Sequence, residues 1–257
     1  MKTTFLSALA VFAGLTGQAS AQSAGTDWSG FYAGGGFATG VSNLSVAELS
    51  AVGPTNGELG ESDLDQFFVF AGYTWDFGTF TLGGELQFFD SSPSGLAGVA
   101  TFSSQICPFG PSCADASVFS TIDPTFRLRA IGGYEVGDNT LVMGALGIAR
   151  ADVTYNGIVV TATSAGGGRS QSFRPSPPIA TESGSIDGIS LGFGVEHRVA
   201  DGFSIRAFVN HDIYNSFTVA NPATATQTNG GNSATATVTD FIDYTTTTLE
   251  VGIVFRF

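Results

Sequence analysis

Charged side chains are scarce in this chain. Asp, Glu, Lys and Arg make up 12% of its 257 residues, whereas ordinary soluble domains carry about 25%. Lys2 is the only lysine, and the eight arginines are outnumbered by 22 acidic residues. A nucleic-acid-binding surface needs clustered basic side chains, so no nucleic-acid partner is expected.

Long apolar runs are also missing after the first residues. No stretch beyond residue 21 approaches the roughly 18 apolar residues of a transmembrane helix. The chain is nevertheless 43% hydrophobic and contains 23 Phe and 35 Gly. Strands of a membrane β-barrel need apolar residues only at alternate positions, and the composition therefore favours such a barrel.

The N-terminus has the pattern of an export signal. Lys2 precedes an apolar segment, residues 5–15, and Ala19-Ser20-Ala21 is a small-x-small cleavage site. The sequence predicts a signal peptide at residues 1–21 and a barrel domain at residues 22–257.

The only cysteines are Cys107 and Cys113, which have five residues between them. An exported chain meets an oxidising compartment, so a disulfide between them is predicted. A metal-binding pair is the alternative, but no His lies nearby to complete it. The sequence predicts no cofactor and no metal site.

The last nine residues show strand periodicity most clearly. Side chains of a strand alternate between two faces, and here one face is apolar while the other is small or charged. The apolar face consists of Leu249, Val251, Ile253, Phe255 and Phe257. This alternation is typical of a transmembrane strand with lipid outside and a polar interior.

Similar alternation recurs along the chain, from a first strand at residues 28–40 to a last strand at residues 243–257. Short connections near Gly78, Gly137 and Asp201 alternate with long ones, including a Thr/Ala/Asn-rich segment at residues 215–242. The prediction is an all-β, eight-stranded antiparallel up-and-down transmembrane barrel. Its turns would be periplasmic and short, and its four long loops extracellular.

Two end segments carry a family resemblance. Asp27-Trp28-Ser29-Gly30-Phe31-Tyr32-Ala33-Gly34 and Glu250-Val251-Gly252-Ile253-Val254-Phe255-Arg256-Phe257 resemble the ends of small alphaproteobacterial outer-membrane β-barrels, the porin-family and opacity-protein-like surface antigens. The resemblance implies location in the cell outer membrane, with lipids, lipopolysaccharide and the barrel-assembly machinery as partners. It also implies that Phe257 belongs to a C-terminal insertion signal.

The charged residues on the predicted strands occupy the alternate positions whose side chains point into the barrel. Arginine on the lipid face at mid-bilayer would cost roughly 2–4 kcal/mol, so these charges are expected to line the lumen. The predicted lumen network is Glu85, Asp123, Arg127, Arg129, Arg150, Asp152, Glu196, Arg198, Arg206, Asp212, Glu250 and Arg256.

The expectation that charged residues face inward fixes the faces of two predicted strands, at residues 120–134 and 140–155. With Arg150 and Asp152 inward, residues 142, 146 and 148 also face inward. The residues expected to face outward are Ile122, Phe126, Leu128, Ala130 and Tyr134 on the first of these strands and Leu141, Met143, Ala145 and Val153 on the second.

The charged lumen permits two functions. Eight-stranded barrels are just wide enough for side chains to fill, which favours a salt-bridged plug and a structural or surface-display role through the loops. A narrow porin with a wet, charged path is the alternative. A possible ligand of the loops and the oligomeric state stay open.

A lipid-modifying enzyme is the third hypothesis. A hydrolase needs a nucleophile, a His base and an acid, and the only histidines, His197 and His211, have outward parity. His211-Asp212-Ile213 lacks the His-x-Ser pattern of outer-membrane lipid A deacylases. No catalytic residue is therefore predicted.

Overall fold

The computed structural model describes residues 27–50, 53–56, 60–90, 99–102, 114–162, 171–175, 182–227 and 233–257. The predicted signal peptide and both Cys107 and Cys113 lie outside the described residues, so cleavage and the disulfide remain predictions. In the part of the chain that is described, no helix has the length and apolar character needed to cross a bilayer.

The described residues form strands wherever apolar residues alternate with polar or small ones. In chain order the strands are β1 (Gly30–Ser50), β2 (Gly53–Asn56), β3 (Gly60–Asp76), β4 (Phe80–Phe89), β5 (Val99–Phe102), β6 (Ala114–Glu135), β7 (Thr140–Ala162), β8 (Gln171–Pro175), β9 (Glu182–Ala200), β10 (Phe203–Tyr214), β11 (Phe217–Gln227) and β12 (Ser233–Arg256).

Eight of these strands close into a ring in the order β1-β3-β4-β6-β7-β9-β10-β12. Each is antiparallel to the next. The ring closes where β1 pairs with β12, from Tyr32 opposite Arg256 to Leu49 opposite Thr239. Closure removes the free edges of the sheet. The predicted eight-stranded antiparallel barrel is confirmed.

Tight turns join β3 to β4, β6 to β7 and β9 to β10, and they define the short-turn end of the barrel. Gly78, Gly137 and Gly202 adopt φ values of 90°, 71° and 68°, a conformation that glycine takes without steric cost. The Phe257 N–H donates to the Phe31 carbonyl (2.9 Å). The beginning and the end of the barrel therefore meet at this end.

The opposite, loop end extends well past a bilayer. β1, β6, β7, β9 and β12 contain 19 to 24 residues, about twice the 9–11 that a membrane strand needs. Short strands widen the sheet there, because β2 pairs with β1, β5 with β6, and β11 with both β12 and β8. The segment at 215–242, predicted as a loop, thus contains a β11–β12 hairpin.

An apolar belt surrounds the ring on its outer face. Its side chains are 42–67% exposed, as expected of a lipid-facing band. The belt includes Phe31, Phe37, Phe67, Trp75, Phe80, Leu82, Phe88, Leu128, Leu146, Ile148, Ile189, Phe193, Ile205, Val209, Leu249, Val251, Ile253 and Phe255.

The two faces of β7 are the reverse of those predicted. Leu146 and Ile148 are 58% and 53% exposed and belong to the belt. Both faces of β7 are apolar near the short-turn end, so alternation alone does not distinguish them. The residues that were expected outside and are buried inside the barrel are Leu141, Met143, Ala145 and Val153.

A β-bulge reverses the faces within β6. The pairing of β6 with β7 shifts register between Pro124 and Phe126, and one extra residue moves every following side chain to the other face. Leu128 is therefore outside, as predicted, at 50% exposure, whereas Ile122 is inside at 2%.

Candidate functional site: a charge-paired lumen

The inner faces of β4, β6, β9, β10 and β12 carry the charges of the barrel. Because apolar residues occupy the outward positions of these strands, the alternate residues must point inward. The resulting buried residues, each at most 5% exposed, are Glu85, Gln87, Arg127, Arg129, Glu196, Arg206, Asn210, Asp212 and Glu250.

Arg127 organises the first group of ion pairs. Its Nε and Nη2 donate to Asp212 Oδ2 at 2.9 and 2.7 Å, and its Nη1 donates to Glu250. Gln87 Nε2 donates to the other oxygen of Glu250 (2.9 Å). The Tyr214 hydroxyl completes the set by donating to Asp212 (3.3 Å). Both acids are thus neutralised and hydrogen-bonded.

Glu85 organises the second group. It accepts from Arg129 at one oxygen and from Arg206 at the other, and the Tyr32 hydroxyl donates to it as well (2.9 Å). Arg206 also pairs with Glu196 (3.3 Å). The cation of Arg206 lies over the ring of Phe70, 4.4 Å from its centroid. A buried carboxylate between two guanidinium groups is fully compensated.

Trp28 closes the lumen at the short-turn end. Its side chain is fully buried and lies between the guanidinium groups of Arg198 and Arg256, 4.3 and 5.4 Å from the ring centroid. Arg256 also donates to the Trp28 carbonyl (2.7 Å) and pairs with Glu196 (3.2 Å). Cation–π contacts of this kind hold the indole across the opening.

Asp27 secures the segment that carries this tryptophan. The backbone N–H of Ser29 donates to the Asp27 carboxylate (2.7 Å), and Arg198 donates to the Asp27 carbonyl (2.9 Å). Hydrogen bonds from the backbone and hydroxyl of Ser29 lower the pKa of Asp27, and the positive charges of Arg198 and Arg256 act in the same direction.

An apolar cluster fills the barrel on the loop side of the charges. It contains three tyrosines and is nearly inaccessible to solvent. The members are Leu44, Ile122, Ala149, Ala151, Val153, Tyr155, Ile186, Tyr214, Val219, Ile242 and Tyr244. The charged layer therefore lies between this cluster and Trp28.

The buried charge of the lumen is balanced. Four arginines (127, 129, 206 and 256) are paired with four acids (85, 196, 212 and 250). Arg129 Nε, Asn210 Nδ2 and Ser190 Oγ are buried without a partner among the described residues. Isolated waters satisfy atoms of this kind in protein interiors. The arrangement is a compensated polar core and contains no excess charge to attract an ion.

Comparison with known proteins identifies the family. The model of the outer membrane protein beta-barrel domain matches residues 7–257. The chain belongs to this family. It lies in the cell outer membrane, and the apolar belt faces lipid. No curated protein is similar enough in sequence to count as a match.

Several solved outer-membrane barrels align with most of this chain at low sequence identity. Ail, the attachment invasion locus protein of Yersinia pestis, has 11% identity over 88% of this chain and 99% of its own, with a TM-score of 0.32. OprG from Pseudomonas aeruginosa has 13% over 89% and 97%, with a TM-score of 0.45. The protease OmpT from Escherichia coli has 12% over 90% and 100%, with a TM-score of 0.33. Likenesses this distant carry no inference about function.

Two of the residues expected in the lumen of this outer-membrane barrel lie on its outer surface. Arg150 pairs there with Asp187 (3.3 Å), with the two side chains 44% and 65% exposed. Asp152 is exposed and accepts from Ser185 (2.6 Å). Both lie on the loop side of Ile148, beyond the apolar belt. Charge on the outer face has little cost there, because its penalty falls toward the membrane interface.

Three further predicted residues lie at the ends of the barrel. Asp123 was expected in the lumen, but it follows the inward-facing Ile122 and lies opposite the outward-facing Asp152. It is half-buried at the loop-side rim and accepts from Gln66 (2.8 Å). Arg198 lies at the short-turn mouth against Trp28. Phe257 is 49% exposed next to β1, and its role in insertion remains a prediction. Trp28 and Tyr32 also belong to the lumen but were not predicted there, although the even position of Tyr32 on β1 places its side chain on the inner face.

The two histidines lie on the outer surface. The ring of His197 contacts Thr140 (3.0 Å), and that of His211 contacts Thr247 (2.9 Å). Each imidazole is hydrogen-bonded to a threonine on the neighbouring strand, and neither of these two contacts involves a carboxylate. The two histidines therefore form surface hydrogen bonds, which differ from the nucleophile–base–acid arrangement of a hydrolase.

Proposed function

We propose that this outer-membrane protein is a closed barrel that displays a folded platform on the cell surface. The observation that carries the proposal is the lumen, where a neutral set of buried ion pairs lies between an apolar cluster and Trp28. Its role would be structural, in envelope integrity, adhesion or antigen display, and it would involve no catalysis.

Opening the lumen would require the ion pairs to separate. Removing one partner of a buried pair costs about 3–5 kcal/mol, because the other charge is left uncompensated. Arg127, Glu85 and Glu196 each hold two or more partners, so a continuous water path would break several pairs together. The closed state is therefore the resting state in this proposal.

The loop end provides the display surface. Strands there continue beyond the belt and enclose the apolar cluster, so the extension has a core of its own. Its outer face bears exposed acids at positions 63, 65, 152, 187 and 243. A negatively charged, ordered platform suits a cationic extracellular ligand, and lipopolysaccharide would surround its base.

Export and assembly complete the proposal. Residues 1–21 would be removed on secretion, Cys107 and Cys113 would pair in the oxidising compartment, and Phe257 would be recognised by the barrel-assembly machinery. Mass spectrometry of protein purified from outer membranes tests the first two claims: a chain beginning at Gln22 that resists thiol alkylation without reductant supports them. A chain that retains residue 1, or that alkylates freely, contradicts them.

Protease treatment of intact cells tests the display orientation. An epitope inserted between residues 228 and 232, in the connection from β11 to β12, should be removed from whole cells, whereas one beside Gly137 should be protected until the membrane is disrupted. Protection of the hairpin epitope on intact cells, with cleavage after disruption, would overturn the proposed orientation.

A narrow porin is the second candidate. The unpartnered Arg129 Nε, Asn210 Nδ2 and Ser190 Oγ favour it, because they mark places inside the lumen where water can bind. Discrete conductance steps from the wild-type barrel would make the porin the better account.

A further inference from the structure

An exposed ion pair lies on the outer wall of the barrel, just beyond the belt. Arg150 on β7 and Asp187 on β9 are direct partners in the strand register, and their side chains are 44% and 65% exposed. Among the arginines of the eight ring strands, Arg150 is the only one with an exposed side chain. The contact joins Nη1 to Oδ1 at 3.3 Å, so the other guanidinium donors and Oδ2 can bind a second partner.

The strands below this pair are tilted. The row of outward-facing residues that starts at Ala33 passes Leu86 on β4 and Ile148 on β7, and it returns to β1 at Asn43, nearer the loop end. A stagger of this kind accompanies the tilt of about 40° that barrel closure requires. A line parallel to the barrel axis therefore crosses from strand to strand, and toward the loop end it moves from β4 through β6 and β7 to β9.

The line that ends at the ion pair defines a docking column on the belt. Its members, from the centre of the belt to the loop side, are Gly84, Leu86, Ala130, Leu128, Ile148, Arg150 and Asp187. Leu128 and Ile148 are 50% and 53% exposed. Gly84 and Ala130 are exposed as well, and they make the centre of the column shallow.

Shape and charge both matter for contacts inside a bilayer. Apolar surfaces gain little by leaving lipid, so transmembrane segments associate through close packing and polar contacts, and small residues permit the close approach. Gly84 offers such an approach, because the nearest atom to a Cβ added there is 3.9 Å away. The charges of Arg150 and Asp187 supply the polar contact at the loop side of the same column.

We propose that a second copy of this chain docks on this column through a two-fold axis parallel to the barrel axis. Such an axis brings the same surface of both copies together and exchanges left and right. Arg150 of each copy then faces Asp187 of the other, Leu128 faces Ile148, and Gly84 lies near the axis. The pair is complementary to its own copy, whereas a lone charge would repel its copy. Docking in this way does not depend on whether the lumen conducts.

Energy transfer between donor- and acceptor-labelled barrels in phosphatidylcholine vesicles tests the association. A chain that begins at residue 22 contains no lysine, so an amine-reactive dye labels its N-terminus alone. Transfer should exceed that of random encounters at the same surface density, and it should fall with added lipid as expected for two copies. Transfer at the random level would show that only lipid covers the column, and it would overturn the proposal.

Exchange of charges tests the contact between copies. R150D carries two acids at the pair and D187R carries two arginines, so each variant alone should associate about tenfold or more weakly than the wild type. A mixture of the two should associate about as well as the wild type, because each acid then faces an arginine of the other copy. D243R, which reverses an exposed acid on β12 outside the column, should leave association unchanged.

The mixture separates contacts between copies from contacts within one copy. Both variants have like charges within their own chain, so a role confined to the single barrel leaves the mixture as weak as its components. That result contradicts the docking column. Heat-modifiable migration in gels confirms that each variant is folded before it is mixed.

Disulfide formation locates the axis. In a background with Cys107 and Cys113 replaced by serine, G84C should form a two-chain product under mild oxidation, because only a position close to a two-fold axis meets its own copy. A207C, an outward-facing position on β10, is the matched control and should stay monomeric. Equal cross-linking of the two variants, or none in either, would contradict the proposed axis.

Discussion

Arg127 and Asp212 join opposite parts of the barrel wall across its interior. The guanidinium donates from Nε to Asp212 Oδ1 (3.1 Å) and from Nη2 to Asp212 Oδ2 (2.7 Å), and the two side chains are 1% and 0% exposed. Their strands, β6 and β10, are separated in the ring by β7 and β9. A bidentate pair between distant strands crosses the lumen and obstructs it.

Replacing Arg127 should destabilise the barrel strongly. R127M keeps most of the side-chain volume but leaves Asp212 and Glu250 buried without their cation, which should lower the free energy of unfolding by about 3–5 kcal/mol. Urea titration of the refolded protein in lipid vesicles measures it. R150M removes an arginine from the exposed pair with Asp187 and should cost no more than about 1 kcal/mol.

Neutralising the acids together with Arg127 should recover much of the loss. In R127M/D212N/E250Q no buried charge remains unpaired, so its unfolding midpoint should lie between those of R127M and the wild type. A midpoint at or below that of R127M would show that packing, rather than charge compensation, accounts for the loss.

The reversed faces of β7 can be tested with an introduced charge. Leu146 faces lipid in this structure, so L146R should cost about 2–4 kcal/mol of unfolding free energy or prevent insertion. V136R, at the exposed turn after β6 and outside the belt, is the matched control and should cost about 0–1 kcal/mol. Normal insertion and stability of L146R would indicate that position 146 points into the lumen.

Glycine 36 marks a close approach of two strands. A Cβ there would collide with the Val251 carbonyl, the Gly252 backbone and the Phe68 ring, so G36A should destabilise by about 1–3 kcal/mol. Glycine 84 faces outward, where the nearest atom to an added Cβ is the Arg129 carbonyl oxygen at 3.9 Å. G84A should be neutral or stabilising by about 0.5 kcal/mol. Equal midpoints for both variants in urea titrations would contradict this distinction.

Glu85 is the test of whether the ion pairs close the lumen. E85A leaves Arg129 and Arg206 without their shared acid, so water should enter to solvate them, and transient conducting events should appear in planar bilayers. E182A, which removes an exposed acid at the loop end of β9, should behave as the wild type. Silence of a correctly inserted E85A barrel would show that the apolar cluster and Trp28 close the path by themselves.

The sequence was most informative where the two faces of a strand differ. On β4, Phe80, Leu82 and Leu86 alternate with Glu85 and Gln87, and both the strand and its orientation followed from that pattern. On β7, both faces are apolar, so Arg150 and Asp152 decided the predicted orientation, and it was wrong. Charge indicates the lumen only within the belt, because outside the belt the outer face also contacts water.

Other features depend on neighbours that are distant in sequence. The bulge near Pro124 changes parity without altering composition, so Ile122 was assigned to the wrong face. Trp28 precedes the first strand, and only the approach of Arg198 and Arg256 from the far end of the chain places it across the mouth. The long strands at the loop end lack strong alternation, and their pairing depends on strand partners that a single sequence does not reveal.

Single-channel recording of the wild-type barrel in a planar bilayer decides whether the ion pairs close the lumen. With insertion of the protein confirmed independently, a closed lumen should give a silent bilayer across the physiological voltage range. Discrete, reproducible conductance steps from the wild-type protein would contradict it, because they would show that the lumen is a water-filled path despite its ion pairs.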